Sequence, residues 1–205
     1  AVGELREARN LYAHLVNSIN PLLNVEVLGF LIYNETLNRL VGQLPFLGIP
    51  EQFITYYQYQ AEIKPGTRAA RIWASQKTIV TTNAPESDEL LALGLAGHAQ
   101  AAGIQATVLT PLTLGGRSLG YLQAANKKDG APFNEDDLRI LAIIAGQAAP
   151  IIENANLVQE SRRRALQAEA LRRIAGLASS AATLDEILGF SLQELARLLQ
   201  ADSAA

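Results

Sequence analysis

The sequence predicts an α+β domain: an antiparallel β-sheet flanked by helices, with long helices at its N- and C-terminal ends. Three observations carry this. "QATVLTPLTL" and "RSLGYLQAAN" are apolar, β-branched runs joined by Gly115-Gly116, the two-residue loop that type I′ and II′ hairpin turns favour. A second pair, "VEVLGFLIY" and "RLVGQLPF", flanks the turn residues "NETLN". Elsewhere the apolar residues fall at helical spacing, and strands that meet as hairpins among helices make an antiparallel sheet.

The elements follow in order. Leu5, Leu11, Leu15 and Ile19 place an amphipathic helix over about 4–20. Pro21 is expected to stop it, because an X-Pro bond disfavours helix in the residue before it. After the first hairpin, "PEQFITYYQYQ" reads as a short helix with Pro50 at its first turn, and "GTRAARIWASQ" as another. The short strand "TIVTT" comes next. Ser87 then caps one helix running through "SDELLALGLAGHAQAAG" to Gly103, a left-handed stop. Beyond the second hairpin the sequence turns helical after Asn134 and stays so to about Ala178. The predicted order is α–β–β–α–α–β–α–β–β–α.

"AANKKDGAPFNEDD", from Ala124 to Asp137, is where strand gives way to long helix. Asn134 reads as the N-cap, and Phe133 and Leu138 have the spacing of a hydrophobic staple. Glu135, Asp136 and Asp137 fill the first turn, where carboxylates meet the positive end of the helix dipole. Lys127 is placed to fold back onto Asp137, tying the sheet to the helix start. The stretch reads as a joint.

Composition excludes several functions. A net charge of −3 argues against a nucleic-acid face. The absence of cysteine removes disulfides, thiolate catalysis, thioether cofactor attachment and Cys-type zinc sites. With two histidines, His14 and His98, no metal site is expected. Neighbouring carboxylates such as Asp136-Asp137 diverge on a helix, and there is no P-loop or nucleophile elbow, so no catalytic residues are assigned. The best apolar run, Leu141 to Ile152, is broken by Gly146, Gln147 and Pro150 and falls short of a bilayer span. The first helix carries Glu4, Arg6, Glu7 and Arg9, unlike a signal peptide, so a cytoplasmic location with no membrane partner is expected.

"TVLTPLTLGGRSLGYLQAANKKDGAPFNEDDLRILAIIAGQAAPIIENANL" resembles the C-terminal half of a GAF domain, the sensory module of phosphodiesterases, phytochromes and bacterial signalling proteins. "LIYNETLNRLVGQLPF" resembles that family's first hairpin. The resemblance implies a GAF/PAS-like sheet and a non-catalytic sensor of a bacterial-type signal-transduction protein. Cyclic-nucleotide-binding members carry Asn-Lys, a spacer, Phe, three residues, then Asp-Glu. Asn126, Lys127, Phe133 and Asp137 match, and Leu138 stands in place of the Glu. In the family this motif is a structural lock rather than a nucleotide contact.

The resemblance also places a small-molecule ligand between the sheet and the mid-chain helices, here roughly Phe53 to Gly103. Phe53, Tyr57, Trp73 and His98 are the pocket candidates. Tyr56, Tyr57 and Tyr59 cannot all face one way. A cyclic nucleotide is one candidate ligand. A lone His in an alanine-rich helix weighs against haem, and the missing cysteine excludes a covalent bilin and the methionine sulfoxide reductase branch of the family. The alternative is a degenerate GAF domain, its pocket filled by core side chains, serving as a dimerisation spacer.

The long helix, about 45 residues and roughly 65 Å, exceeds what one domain can bury. Leu138, Leu141, Ala145, Ala148, Ile152 and Ala155 have the 3-and-4 spacing of a two-helix seam, so a homodimer through the N- and C-terminal helices is expected. Pro150, four residues after Gly146, marks either a bend around the sheet or a hinge. Arg162, Arg163, Arg164, Arg172 and Arg173 spread around the helix, and Glu160–Arg164 and Glu169–Arg173 have ion-pair spacing, giving a solvated face. "RLLQADSAA" echoes "PLLNVEVLG", and Thr183 with Glu186 has capping-box spacing. The expected organisation is a GAF-like sensory domain over 1–160, a helical linker over 161–182 and the truncated start of a second GAF-like domain over 183–205, with the effector outside this chain.

Overall fold

Two hairpins and the contact between them make the sheet. In the computed structural model, which describes residues 2–56, 59–179 and 192–193, β1 (Val25–Asn34) and β2 (Arg39–Gly42) form the first hairpin. β5 (Thr107–Leu114) and β6 (Arg117–Lys127) form the second. β1 pairs with β6 from Val25↔Lys127 to Ile32↔Gly120, so the central contact joins the first strand to the last. The short strands β3 (Gln60–Glu62) and β4 (Ile79–Thr81) extend the two edges, giving an antiparallel order β3-β2-β1-β6-β5-β4. Gly115 and Gly116 have φ of 58° and 79°, the left-handed pair that a type I′ turn requires.

Both faces of the central strands are covered. α1 (Val2–Leu23) buries Tyr12, Leu15, Val16, Ile19 and Leu23 on one face, with the Tyr12 ring 5.6 Å from that of Phe30 on β1. The first half of α6 (Glu135–Ser179) buries Leu141, Ile144, Ala145, Ala148, Ala149 and Ile152 beside it. Fully burying each of the Leu, Ile and Val side chains among these stabilises by about 1.5–3 kcal/mol. The opposite face carries α2 (Glu51–Tyr56), α3 (Arg68–Ser75), a 3₁₀ turn (Ala84–Glu86), α4 (Asp88–Leu93) and α5 (Ala96–Ala101). The described residues form two units: Arg9–Ile152 holds the sheet and its covering helices, and the other gathers Val2–Ala8 with the described residues from Glu153 onward. Within the second, Arg162 pairs with Glu7 at 2.7 Å, and Glu169 pairs with Arg173 at 3.7 Å.

Several expectations are corrected. Pro21 lies inside α1, where so near the end it removes one helical bond; the helix stops at Asn24, in the left-handed region at φ 47°. The single mid-chain helix is two, because Gly94 at φ 76° caps α4 and re-aims the chain into α5. β3 was hidden in "YYQYQ", although buried Tyr59, Ala61 and Ile63 alternate with more exposed Gln60 and Glu62. Leu141, Ala145, Ala148 and Ile152 are buried by the chain's own fold and so do not form a seam for another chain; Ile140, Ile143 and Ile151 are the exposed apolar residues of that segment. Finally, the helix continues through Gly146, Gln147 and Pro150, so by length and composition α6 does contain a stretch apolar enough to cross a membrane. A third of that stretch is buried. The expected second domain over 183–205 lies almost wholly outside the described residues.

Candidate functional site

Between the sheet and the α2–α5 layer, aromatic side chains fill the centre. Tyr59, at the start of the β3 edge, points inward with its ring 5.5 Å from Phe46 and 6.3 Å from Phe53. The Phe46 ring lies on Gly29 of β1, where a Cβ would come within 2.4 Å of it. Tyr59 donates its hydroxyl proton to Gln123 Oε1 (2.8 Å), Gln123 Nε2 donates to Thr107 Oγ1 (3.3 Å), and Thr107 donates to the Ala124 carbonyl (3.1 Å). Tyr59, Gln123 and Thr107 are all buried, so this chain satisfies polar groups that water cannot reach. Burial raises the Tyr59 phenol above its ordinary pKa, against the opposing hydrogen bond to Gln123. Nearby, Trp73 of α3 lies between Tyr33 (5.0 Å) and Tyr121 (5.6 Å). The Tyr121 hydroxyl is buried and has no hydrogen-bond partner among the described residues; burial pushes its pKa up to about 12.

Open space lies at the outer margin of this layer. One cleft of about 490 Å³ runs between the β3 edge and α3–α5, with Arg39, Gln60, Glu62 and Lys64 on its sheet side and Gly94 and His98 on its helix side. A second, of about 580 Å³, is lined by Phe53, Gly97 and Ala101 and shares Gly94 and His98 with the first. Gly94 and His98 therefore line both the cleft that carries the charged groups and the mainly apolar one. The His98 Nδ1 lies 3.2 Å from the Gly94 carbonyl, and its ring stands edge-on to Tyr59 (5.4 Å) and Phe53 (6.4 Å).

The joint at the end of β6 works in two directions. Asn126, at φ 53°, accepts the Gln105 N–H (2.9 Å) and donates to the Gly103 carbonyl (3.0 Å), holding the turn that follows α5. Lys127 reaches the other way, with Nζ 2.9 Å from Asp137 Oδ2 in the first turn of α6. The same oxygen accepts the Asn134 N–H, and Asn134 Oδ1 accepts the Asp137 N–H, both at 2.9 Å, a reciprocal cap. Desolvation raises the Asp137 pKa, but the Asn134 N–H and the Lys127 ammonium outweigh it and the net shift is downward. The hydrogen bond to Asp137 raises Lys127 above its ordinary value. Phe133 is half-buried beside this cap.

The family profile of the GAF domain matches residues 7–153. The chain belongs to the GAF domain family. Among solved structures, a GAF domain/HD domain protein from Geobacter sulfurreducens has a TM-score of 0.59 at 13% identity, over 77% of this chain and 99% of that one. The blue-light absorbing form of the Thermosynechococcus elongatus PixJ GAF domain has 0.56 at 15%, over 78% and 94%. A domain of a protein described as a two-component sensor histidine kinase, from Sinorhizobium meliloti, has 0.55 at 18%, over 75% and 95%. These likenesses establish the GAF fold. No curated protein sequence matches.

In this GAF domain the candidates Phe53 and His98 come together, whereas Trp73 belongs to the separate Tyr33–Tyr121 cluster. Tyr57 lies outside the described residues. Lys127 folds back onto Asp137, whereas Asn126 bonds to Gln105 and Gly103 instead. Sequence reasoning missed the central role of Tyr59, its partners Gln123 and Thr107, and the cations Arg39 and Lys64. A polar Gln inside the apolar run of β6 was the one local signal of a buried polar chain.

Proposed function

We propose that this GAF domain is a non-catalytic sensory module that reads a small molecule at the clefts around His98 and passes the result to α6 in a homodimer. The observation that carries this is the Asn126–Lys127 dipeptide. One residue bonds to Gly103, just past the cleft-wall helix α5, and the next to Asp137 at the start of the output helix. A displacement of α5 is thus communicated to α6 through two adjacent side chains. A ligand drives such a change only by the difference in its affinity for the two states. The PixJ and sensor-kinase neighbours are consistent with a signalling role. Exposed Ile140, Ile143 and Ile151 on α6 support pairing with a second copy. A cytoplasmic setting and an effector outside this chain complete the reading.

A second reading, the ligand-free dimerisation spacer, is favoured by the filling of the sheet–helix layer by Tyr59, Tyr121 and Phe46. Denaturing release followed by mass spectrometry separates the two. Under the sensor reading, the purified protein yields a small molecule that is absent from a Gly97→Leu variant of equal fold. A protein that retains nothing, and shows no thermal shift with cyclic nucleotides or a metabolite panel, selects the spacer.

A further inference from the structure

The two clefts differ in chemistry and share Gly94 and His98, and this specifies what they take. In the polar compartment Glu62 is shared by two cations: Lys64 Nζ at 3.0 Å and Arg39 Nη2 at 3.9 Å. One carboxylate between two cations leaves a net positive charge at the cleft wall. The Arg39 distance is at the outer limit of an ion pair, so its guanidinium is not held in a two-point fork and keeps donors for another acceptor. The apolar compartment presents the Phe53 ring, Ala101 and Gly97.

Gly97 adds an independent indication. It is the second residue of α5 and is exposed. A Cβ there would meet nothing within 4 Å, so internal packing does not require the glycine. Bare backbone facing an open apolar cleft is what close approach of a flat ligand group uses.

We propose that these clefts form one bipartite site for a small amphipathic carboxylate, its anionic head at Arg39 and Lys64 and its apolar or aromatic body against Phe53, His98 and Gly97. The assignment rests on the sensor reading above and adds the ligand class to it. The Arg39 fork and the Lys64 ammonium each donate charge-assisted hydrogen bonds to the head, and removing either partner costs at least several-fold in affinity. The body gains from leaving water in proportion to its buried apolar area.

The test uses three matched probes in amide-resolved NMR titrations of the whole chain: 3-phenylpropionate, 3-phenylpropanol and propionate. 3-Phenylpropionate is expected to move the Gly94, Gly97 and His98 signals saturably, with about tenfold weaker binding of the alcohol and of the short acid. Arg39→Gln combined with Lys64→Gln should reduce the acid to the affinity of the alcohol and leave the alcohol unchanged. Gly97→Leu and, separately, Ala101→Leu should abolish binding of both ring-bearing probes while the remaining spectrum stays folded. Equal binding of acid and alcohol, shifts centred away from His98, or no saturable shift with any probe would overturn the assignment. A released natural molecule that is cationic or lacks an acid group, yet is lost from Gly97→Leu, would overturn the ligand class and leave the site reading standing. A released molecule retained by Gly97→Leu would overturn the site itself.

Discussion

Tyr59 and Tyr121 make a matched pair on which the reading of the interior can be judged. Tyr59→Phe and Tyr121→Phe each delete one buried hydroxyl oxygen from the same layer, so the volume lost is the same. Their partners differ. The Tyr59 hydroxyl donates to buried Gln123 Oε1 at 2.8 Å, and its loss strands an acceptor that water cannot reach. Leaving such a group unsatisfied costs about 1–3 kcal/mol. The Tyr121 hydroxyl has no partner among the described residues, so its deletion strands nothing and removes a desolvated dipole. Tyr121→Phe is expected to be neutral, or stabilising by up to about 1 kcal/mol. For a chain of 205 residues, 1 kcal/mol moves Tm by about 2–4 °C. Tyr59→Phe should thus melt about 2–12 °C below wild type and Tyr121→Phe at or slightly above it, with urea midpoints following in the same order. If Tyr121→Phe were destabilised as much as Tyr59→Phe, its hydroxyl would have a partner, such as an enclosed water, and the contrast would be refuted. A Tyr59→Phe variant as stable as wild type would remove the buried polar chain from any structural role.

The same tyrosines give the domain an alkaline limit. Tyr121 titrates near pH 10 when unfolded and at about 12 when folded, so its contribution is complete below pH 10 and is lost as pH rises towards 12. Over that window it lowers stability by about 1.4 kcal/mol per pH unit, and urea titrations of Tyr121→Phe should show a shallower decline by that amount. Asp137 has the opposite sense: its lowered pKa stabilises above the unfolded value and is lost as pH falls through the folded one, so Asp137→Asn should flatten the acid limb of the Tm profile. Asn134→Ala removes the cap on α6 and should cost about 0.5–2 kcal/mol in urea unfolding. Gly29→Ala drives a methyl into the Phe46 ring and should cost about 1–3 kcal/mol, with partial recovery in Gly29→Ala/Phe46→Leu as measured by a double-mutant cycle.

What the sequence made legible was local. The Gly115-Gly116 hairpin, the Asn134 cap and the long helix depend on residues within a few positions of one another, and each was read correctly. The joint was also legible, because Lys127 and Asp137 are ten residues apart across a single turn. Errors arose where tertiary packing overruled a local rule. Pro21 fits inside α1 because it falls in the last turn, and the three residues of β3 take their conformation from pairing with β2. The apolar seam of α6 was read as an interface because periodicity reports that a face is buried, not which surface buries it. In the site, Tyr59 and Gln123 are 64 residues apart and Arg39 meets Glu62 only because β2 and β3 pair, so neither contact leaves a mark in linear spacing.

The pairing of β1 with β6 also sets the order in which the chain can fold as it is made. Val25 must wait for Lys127, and Ile32 for Gly120, a separation of roughly a hundred residues. At a synthesis rate of about 5–20 residues per second, Leu28, Phe30 and Leu31 spend about 5–20 s outside the ribosome before their central partner emerges. During that interval β1, beside β2 and then β3, has one apolar edge open, a surface that favours pairing with other chains. The strand that anchors the finished sheet is therefore the one most exposed to misassembly during synthesis, and charged substitutions in β1 should lower soluble yield.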